Sequence, residues 1–204
     1  FSRLTGEDTH QQLATGFEIG TRFHSAPVIR VADAKPVQLG HVHQADGRWR
    51  VYLFADETGV DTGSTVATWC ERMVTDANSA INRFTASDAD LDSVFDVYAV
   101  TQVHHLDVDI NDIHPLLQPT KGKFNLKDYE KVFAAEHTNG QLLGNIPGLE
   151  ATQDIYQLRG IDRSKGAVVI VRPDQYIGHV LPLDEFEAFD RYFETYLLDA
   201  NVTV

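Results

Sequence analysis

The run from Arg48 to Ala55 places Trp49, Val51, Leu53 and Ala55 on one face of an extended chain and Tyr52 and Phe54 on the other. Apolar side chains on both faces require a central strand covered on both sides. The loop that follows, residues 56–63, carries Gly59 and Gly63. Beyond it Val66, Trp69, Cys70, Met73, Val74, Ala77, Ile81 and Phe84 recur at steps of three and four, the stripe of one amphipathic helix. Ser64 or Thr65 can cap its start. Residues 94–103 (VFDVYAVTQV) form the next strand, which closes a βαβ unit.

The C-terminal part predicts a second unit. Residues 167–171 and 176–181 read as strands joined at Arg172-Pro173-Asp174-Gln175, where proline pre-sets the φ of a type I turn. Asp184, with Glu187 three residues on, is positioned to cap a last helix whose stripe is Phe186, Phe189, Phe193, Tyr196 and Leu197. Between the units, Asn125 is expected to open a short helix with Leu126, Tyr129, Val132 and Phe133 inward. Residues 104–165 otherwise read as a loop-rich, irregular insertion before the last ββα unit. Upstream, Val28–Val31 is strand-like, residues 33–36 form a turn, and residues 1–19 read as a linker or a segment that packs on a missing domain. The order strand, helix, strand, helix, strand, strand, helix predicts an α/β fold of thioredoxin-like type over residues 20–204, with a mixed central sheet flanked by helices.

At 204 residues the chain suits one domain with an insertion. Its net charge of −13 and the lack of any basic run exclude nucleic acid and anionic membranes as partners. No stretch is apolar for long enough to span a bilayer, and the first twenty residues lack the basic and apolar blocks of a signal peptide. With Cys70 the single cysteine, no internal disulfide can form, and a reducing, cytoplasmic location is expected. A chain that begins with Phe1 reads as an excised fragment.

A thioredoxin-like order raises the question of thiol chemistry. A reactive Cys-x-x-Cys would lie where the first core strand meets the first helix, because a helix N-terminus lowers a thiol pKa. That place, residues 56–63, has three carboxylates and no cysteine. Cys70 falls on the apolar stripe and reads as a core residue. Two histidine groups could ligate a metal: His41 with His43, on one face if extended, and His104, His105, Asp107, Asp109, Asp112 and His114. Neither has a recognised ligand spacing, and the second fits a solvent-facing strand edge equally well. No Gly-x-Ser-x-Gly elbow and no Gly-x-Gly-x-x-Gly turn occurs, so neither a hydrolase triad nor a dinucleotide site is expected.

Three segments in order, Gly20-x-Arg22 with Pro27, Asp46-Gly47-Arg48-Trp49 through Asp56, and Val171-Arg172-Pro173-Asp174-x-Tyr176, resemble the C-terminal thioredoxin-like domain of the FAD-dependent aromatic hydroxylases, the phenol 2-monooxygenase and 3-hydroxybenzoate 4-hydroxylase group. Gln175 departs from the glycine common there. The resemblance implies an accessory and oligomerisation domain that is not catalytic by itself and has no cofactor of its own. It would serve a parent enzyme that uses FAD and NADPH to hydroxylate a phenolic ring. The implied partners are the FAD-binding and substrate domains of the same polypeptide and a second copy in a homodimer. Arg22, Arg172, Asp174 and Tyr176 are then candidates for an interdomain or intersubunit contact, or else for a purely structural turn. Two alternatives stay open: a stand-alone module that binds a small aromatic ligand, and a degenerate thiol-redox protein.

Overall fold

The structure, a computed structural model, describes residues 4–136 and 153–200. Its elements are β1 (Pro27–Arg30), β2 (Lys35–Gln38), β3 (Trp49–Phe54), α1 (Thr65–Thr75), α2 (Ala80–Phe84), β4 (Phe95–Thr101), β5 (Thr120–Lys121), β6 (Leu126–Lys127), β7 (Val132–Ala134), α3 (Ile155–Leu158), β8 (Ala167–Val171), β9 (Ile177–Leu181) and α4 (Phe186–Glu194). One sheet runs β2-β1-β7-β4-β3-β8-β9, and β5 and β6 form a separate two-stranded hairpin. β3 pairs parallel with β4 and antiparallel with β8, and β8 pairs antiparallel with β9. This β4-β3-β8-β9 core, with α1 crossing between the two parallel strands, is the thioredoxin-like arrangement.

The two-faced pattern of β3 decides where everything else packs. Every residue of β3, β4, β8 and β9 is buried. Trp49, Val51 and Leu53 meet α1, α2 and α4, with Trp49 edge-on to Phe193 at 5.1 Å and Trp69 edge-on to Phe189 at 5.2 Å. Tyr52 and Phe54 face the other way, onto Leu13, Phe17, Ile155 and Tyr156. Ser64 caps α1 by accepting the Ala67 N–H at 3.0 Å.

Several expectations need correction. Residues 4–19 do not form a linker: Leu13, Ala14 and Phe17 are buried in this chain's own second core, and Gly6 N–H donates to the Gly178 carbonyl at 2.8 Å. The long helix is two helices. Ser79 breaks it by donating to the Met73 carbonyl at 2.6 Å while capping α2, and this leaves Ala77 exposed. No helix opens at Asn125. That residue takes φ +49° in the β5–β6 turn, Leu126 and Tyr129 are exposed, and Val132 and Phe133 form β7 beside β4. The parallel ladder to β4 and burial on both faces outweigh the capping signal there.

Residues 33–36 hold a turn that leads into a further strand, β2, which pairs with β1. α4 starts without a side-chain cap from Asp184. The segment around Asp107 and Asp109 is a 3₁₀ turn and bends, not a strand edge. The insertion holds β5, β6, β7 and α3, and its glycine-rich stretch 137–152 lies outside the described residues. No helix among the described residues is long and apolar enough to cross a membrane.

Phe17 is 1% exposed and stacks on Phe23 at 4.9 Å. Its truncation to alanine is expected to cost about 3–5 kcal/mol, as for other buried aromatic residues. Urea unfolding measures this, and a cost below about 1 kcal/mol would mean that the N-terminal segment is not part of the core.

Candidate functional site

The position for thiol chemistry is occupied by a closed polar loop. Asp56 accepts from Thr58 N–H at 2.9 Å, from the Thr58 hydroxyl at 2.5 Å and from the Thr65 hydroxyl at 2.7 Å. Thr65 N–H donates to Thr58 Oγ1 at 3.0 Å, so the loop supplies the partners that α1 lacks at its N-terminus. Cys70 is fully buried one turn into α1, and burial pushes its thiol far above the usual range. A protonated, inaccessible thiol is neither a nucleophile nor a metal ligand.

The structure brings His104 and His105 to Glu136, which the sequence reading did not include, and places the other aspartates elsewhere. His105 Nδ1 lies 2.6 Å from Glu136 Oε1, and His104 Nε2 lies 3.4 Å from Oε2. Leu106 N–H donates to His104 Nδ1. One ligand atom each from His104, His105 and Glu136 thus converges at this spot, with His104 Nδ1 engaged by the backbone. His114 turns away to Glu71 at 3.0 Å. His41 and His43 are not paired on an extended face. The first lies in a 3₁₀ turn, and the second is tilted against Phe23 and Tyr52.

Arg22, Arg172, Asp174 and Tyr176 come together at one corner. Residues 20–22 run along β9: Gly20 N–H donates to the Ile177 carbonyl, Ile177 N–H donates to the Thr21 carbonyl, and Arg22 bridges to Tyr176. Arg172 forms an ion pair with Asp174 and lies 5.9 Å from the Tyr176 ring centroid. Gln175 takes φ +69° in the turn and accepts from Arg22 Nη2 at 3.0 Å. That conformation explains why glycine suits the position and how a non-glycine residue is held there.

Sequence reasoning missed the densest chemistry in the molecule. Four cations, Arg48, Arg50, Lys121 and Lys131, interleave with four carboxylates, Asp46, Asp92, Asp96 and Asp128. Arg50, 3% exposed, clasps Asp46 with two bonds of 2.6 and 2.8 Å. Asp96, 1% exposed, accepts from the Tyr98 hydroxyl at 2.7 Å and pairs with Arg48 and Lys131. Asp92 meets Lys131 at 2.9 Å and Lys121 at 2.8 Å, and Lys121 reaches Asp128 at 2.7 Å.

The Arg50 hydrogen bonds hold Asp46 well below the usual carboxylate range. Burial pushes Asp92 up, and the two lysines more than reverse it. The cluster floors a cleft of about 680 Å³ lined by Arg48, Asp96, Tyr98, Lys121, Asp128 and Lys131 among others. The sequence signal for it is a charged residue inside otherwise apolar strand runs: Arg50 in β3, Asp96 in β4, and Lys131 immediately before β7.

Lys131→Met should cost about 3–5 kcal/mol by leaving Asp92 and Asp96 buried with fewer partners. Asp33→Ala, which removes the surface pair with Arg30, should cost under about 1 kcal/mol. Equal costs in urea unfolding would refute this ordering.

Stability should also fall on mild acidification. Burial lowers His43 and His179 from 6.5 to about 4, so both stay neutral in the fold while the unfolded chain takes up protons below 6.5. Their contribution is complete above 6.5 and is lost as pH drops toward 4, on the order of 2–3 kcal/mol for each. Unfolding midpoints that stay flat from pH 7 to 4.5 would contradict this.

Comparison with known proteins places this geometry. The family model described as phenol hydroxylase, C-terminal dimerisation domain, matches residues 2–201. A 3-hydroxybenzoate 4-monooxygenase of Comamonas testosteroni is 47% identical over 96% of this chain and 29% of its own length. The FAD-dependent monooxygenase terD of Aspergillus terreus is 30% identical over 93% of this chain and 30% of its own length. The chain therefore spans under a third of these relatives. Among solved structures, the thioredoxin domain of a thiol-disulfide oxidoreductase from Bacteroides vulgatus aligns over 88% of this chain and 98% of its own, at 12% identity and a TM-score of 0.46. With residues 2–201 matched by one family, the chain belongs to the phenol hydroxylase C-terminal dimerisation domains.

Proposed function

We propose that this chain is the subunit-association domain of a larger FAD- and NADPH-dependent monooxygenase that hydroxylates a phenolic ring. In this reading flavin, nicotinamide and substrate all bind to parts of the polypeptide outside this sequence. The observation that carries it is the match to monooxygenases over 96% of this chain but only 29% of the relative. The site chemistry agrees: a closed Asp56–Thr58–Thr65 loop and a buried thiol give a thioredoxin-like scaffold whose usual reactive corner is filled. A single buried thiol also suits a reducing compartment such as the cytoplasm.

Arg22, Arg172 and Asp174 act in this reading as the brace of the β8–β9 turn. Tyr176, 40% exposed, offers its ring to the preceding domains, which arrive along residues 4–22 beside it.

The purified chain is expected to sediment as a dimer, to leave the spectrum of added FAD unchanged, and to give no phenol-dependent NADPH oxidation. Stoichiometric FAD binding or such oxidation would overturn the assignment. So would a chain that remains monomeric at high micromolar concentration.

A further inference from the structure

We propose that a second copy of this chain docks through the β5–β6 hairpin and the acidic loop beside it, each copy giving a hairpin and receiving one. The inference rests on the dimerisation reading and locates its surface.

Both edges of the sheet are closed to strand pairing. β9 is covered by Gly6 and by residues 20–22. β2 reads Lys-Pro-Val-Gln, and the missing N–H of Pro36 with the charge of Lys35 blunts it. A dimer must therefore use side chains.

Three large exposed apolar side chains lie on the hairpin and just after it: Phe124 is 74% exposed, Leu126 68% and Tyr129 43%. Clustered large apolar groups on a projecting hairpin are a docking feature. The hairpin is also the basic part of an acidic molecule. With Lys121 and Lys131 engaged in the charge lattice, Lys123 and Lys127 are the hairpin's cations outside that lattice, in a chain of net charge −13.

Its complement lies next to it. Residues 106–112 carry Asp107, Asp109 and Asp112 with no cation, and Leu106 there is 76% exposed. A cleft of about 660 Å³ separates this loop from α1, lined by Ala67, Thr68, Ile113 and Pro115 and by the charged Glu71, Arg72 and Asp112, with Lys127 of the hairpin also in its wall. A basic apolar knob beside an acidic loop and a cleft is self-complementary under a two-fold axis, the commonest symmetry of protein dimers. Phe124 and Leu126 of one copy would fill the cleft of the other, and their lysines would face Asp109 and Asp112.

The occupant is a second copy rather than the preceding domains because those reach a C-terminal domain through residues 4–22, which lie along β9. The hairpin stands at the other end of the sheet, where Lys121 ties it to Asp92 and Arg30 of β1 pairs with Glu130 just after it.

Sedimentation of the whole chain across concentrations tests this. Phe124→Asp is expected to weaken the dimer by about 30-fold or more, the effect of removing one interface anchor. Leu126→Ser should do the same, and Tyr176→Asp at the far edge should not. Lys123→Glu should weaken the dimer, and an equimolar mixture with an Asp109→Lys, Asp112→Lys variant should recover a heterodimer.

A parent chain that dimerises while Phe124→Asp and Leu126→Ser dimerise equally well would refute the location and leave the association reading intact. Dissociation by Tyr176→Asp alone would move the interface to the β8–β9 corner. A parent chain that never dimerises would overturn both. Far-UV circular dichroism of each variant keeps unfolding apart from dissociation.

Discussion

The buried lattice of four carboxylates and four cations holds the rest of this fold in register. Asp96 sits on β4, Arg50 on β3, Lys131 at the entry to β7, and Lys121 on the small hairpin, so one neutral cluster ties together pieces far apart in sequence. Ions taken from water are costly unless every partner is present, which makes such a cluster cooperative: it forms as a whole or not at all. Its apolar continuation is a file of rings. Phe17 stacks on Phe23 at 4.9 Å, Phe23 on Tyr52 at 4.9 Å and Tyr52 on Tyr98 at 5.4 Å, and the Tyr98 hydroxyl ends the file on Asp96. Core and lattice therefore share one axis across the second face of the sheet.

The division of labour follows from what the thioredoxin-like scaffold retains and what it fills. The corner where a strand meets a helix N-terminus would lower the pKa of any nucleophile placed there. Here the Thr58 hydroxyl accepts the Thr65 N–H and the Ser64 hydroxyl accepts the Ala67 N–H, and the thiol lies inside the core. The scaffold remains a rigid plate that presents surfaces. The matched family is described by dimerisation, a role that needs shape and charge rather than a reactive group.

The parts legible in the sequence were those governed by a single periodicity. β3, α1, β4, the β8–β9 hairpin and α4 each repeat their pattern with the period of the element they form, and Ser64 caps where a serine should. The failures have physical causes. Asn125 and Asp128 mimic a helix start, yet Asn125 also accepts positive φ, and pairing with β4 decided the matter. Ala77 continued the helical stripe, and only the bond from Ser79 to the Met73 carbonyl shows where the helix stops. The charge lattice was hidden because an acidic chain supplies carboxylate pairs everywhere. The clue, an ion inside an apolar strand, becomes informative once the strand's neighbours are known. The His105–Glu136 contact joins residues over thirty positions apart and had no local signature.

The strap formed by residues 4–22 has a mechanical consequence. It is bound in series, through Gly6 and residues 20–22 to β9 and through Leu13 and Phe17 into the core between these points. A torque applied to its upstream end is thus spread over a strand edge and a sheet face at once, instead of turning about one flexible joint. A load on this strap therefore has no single weak point at which to peel it from the sheet.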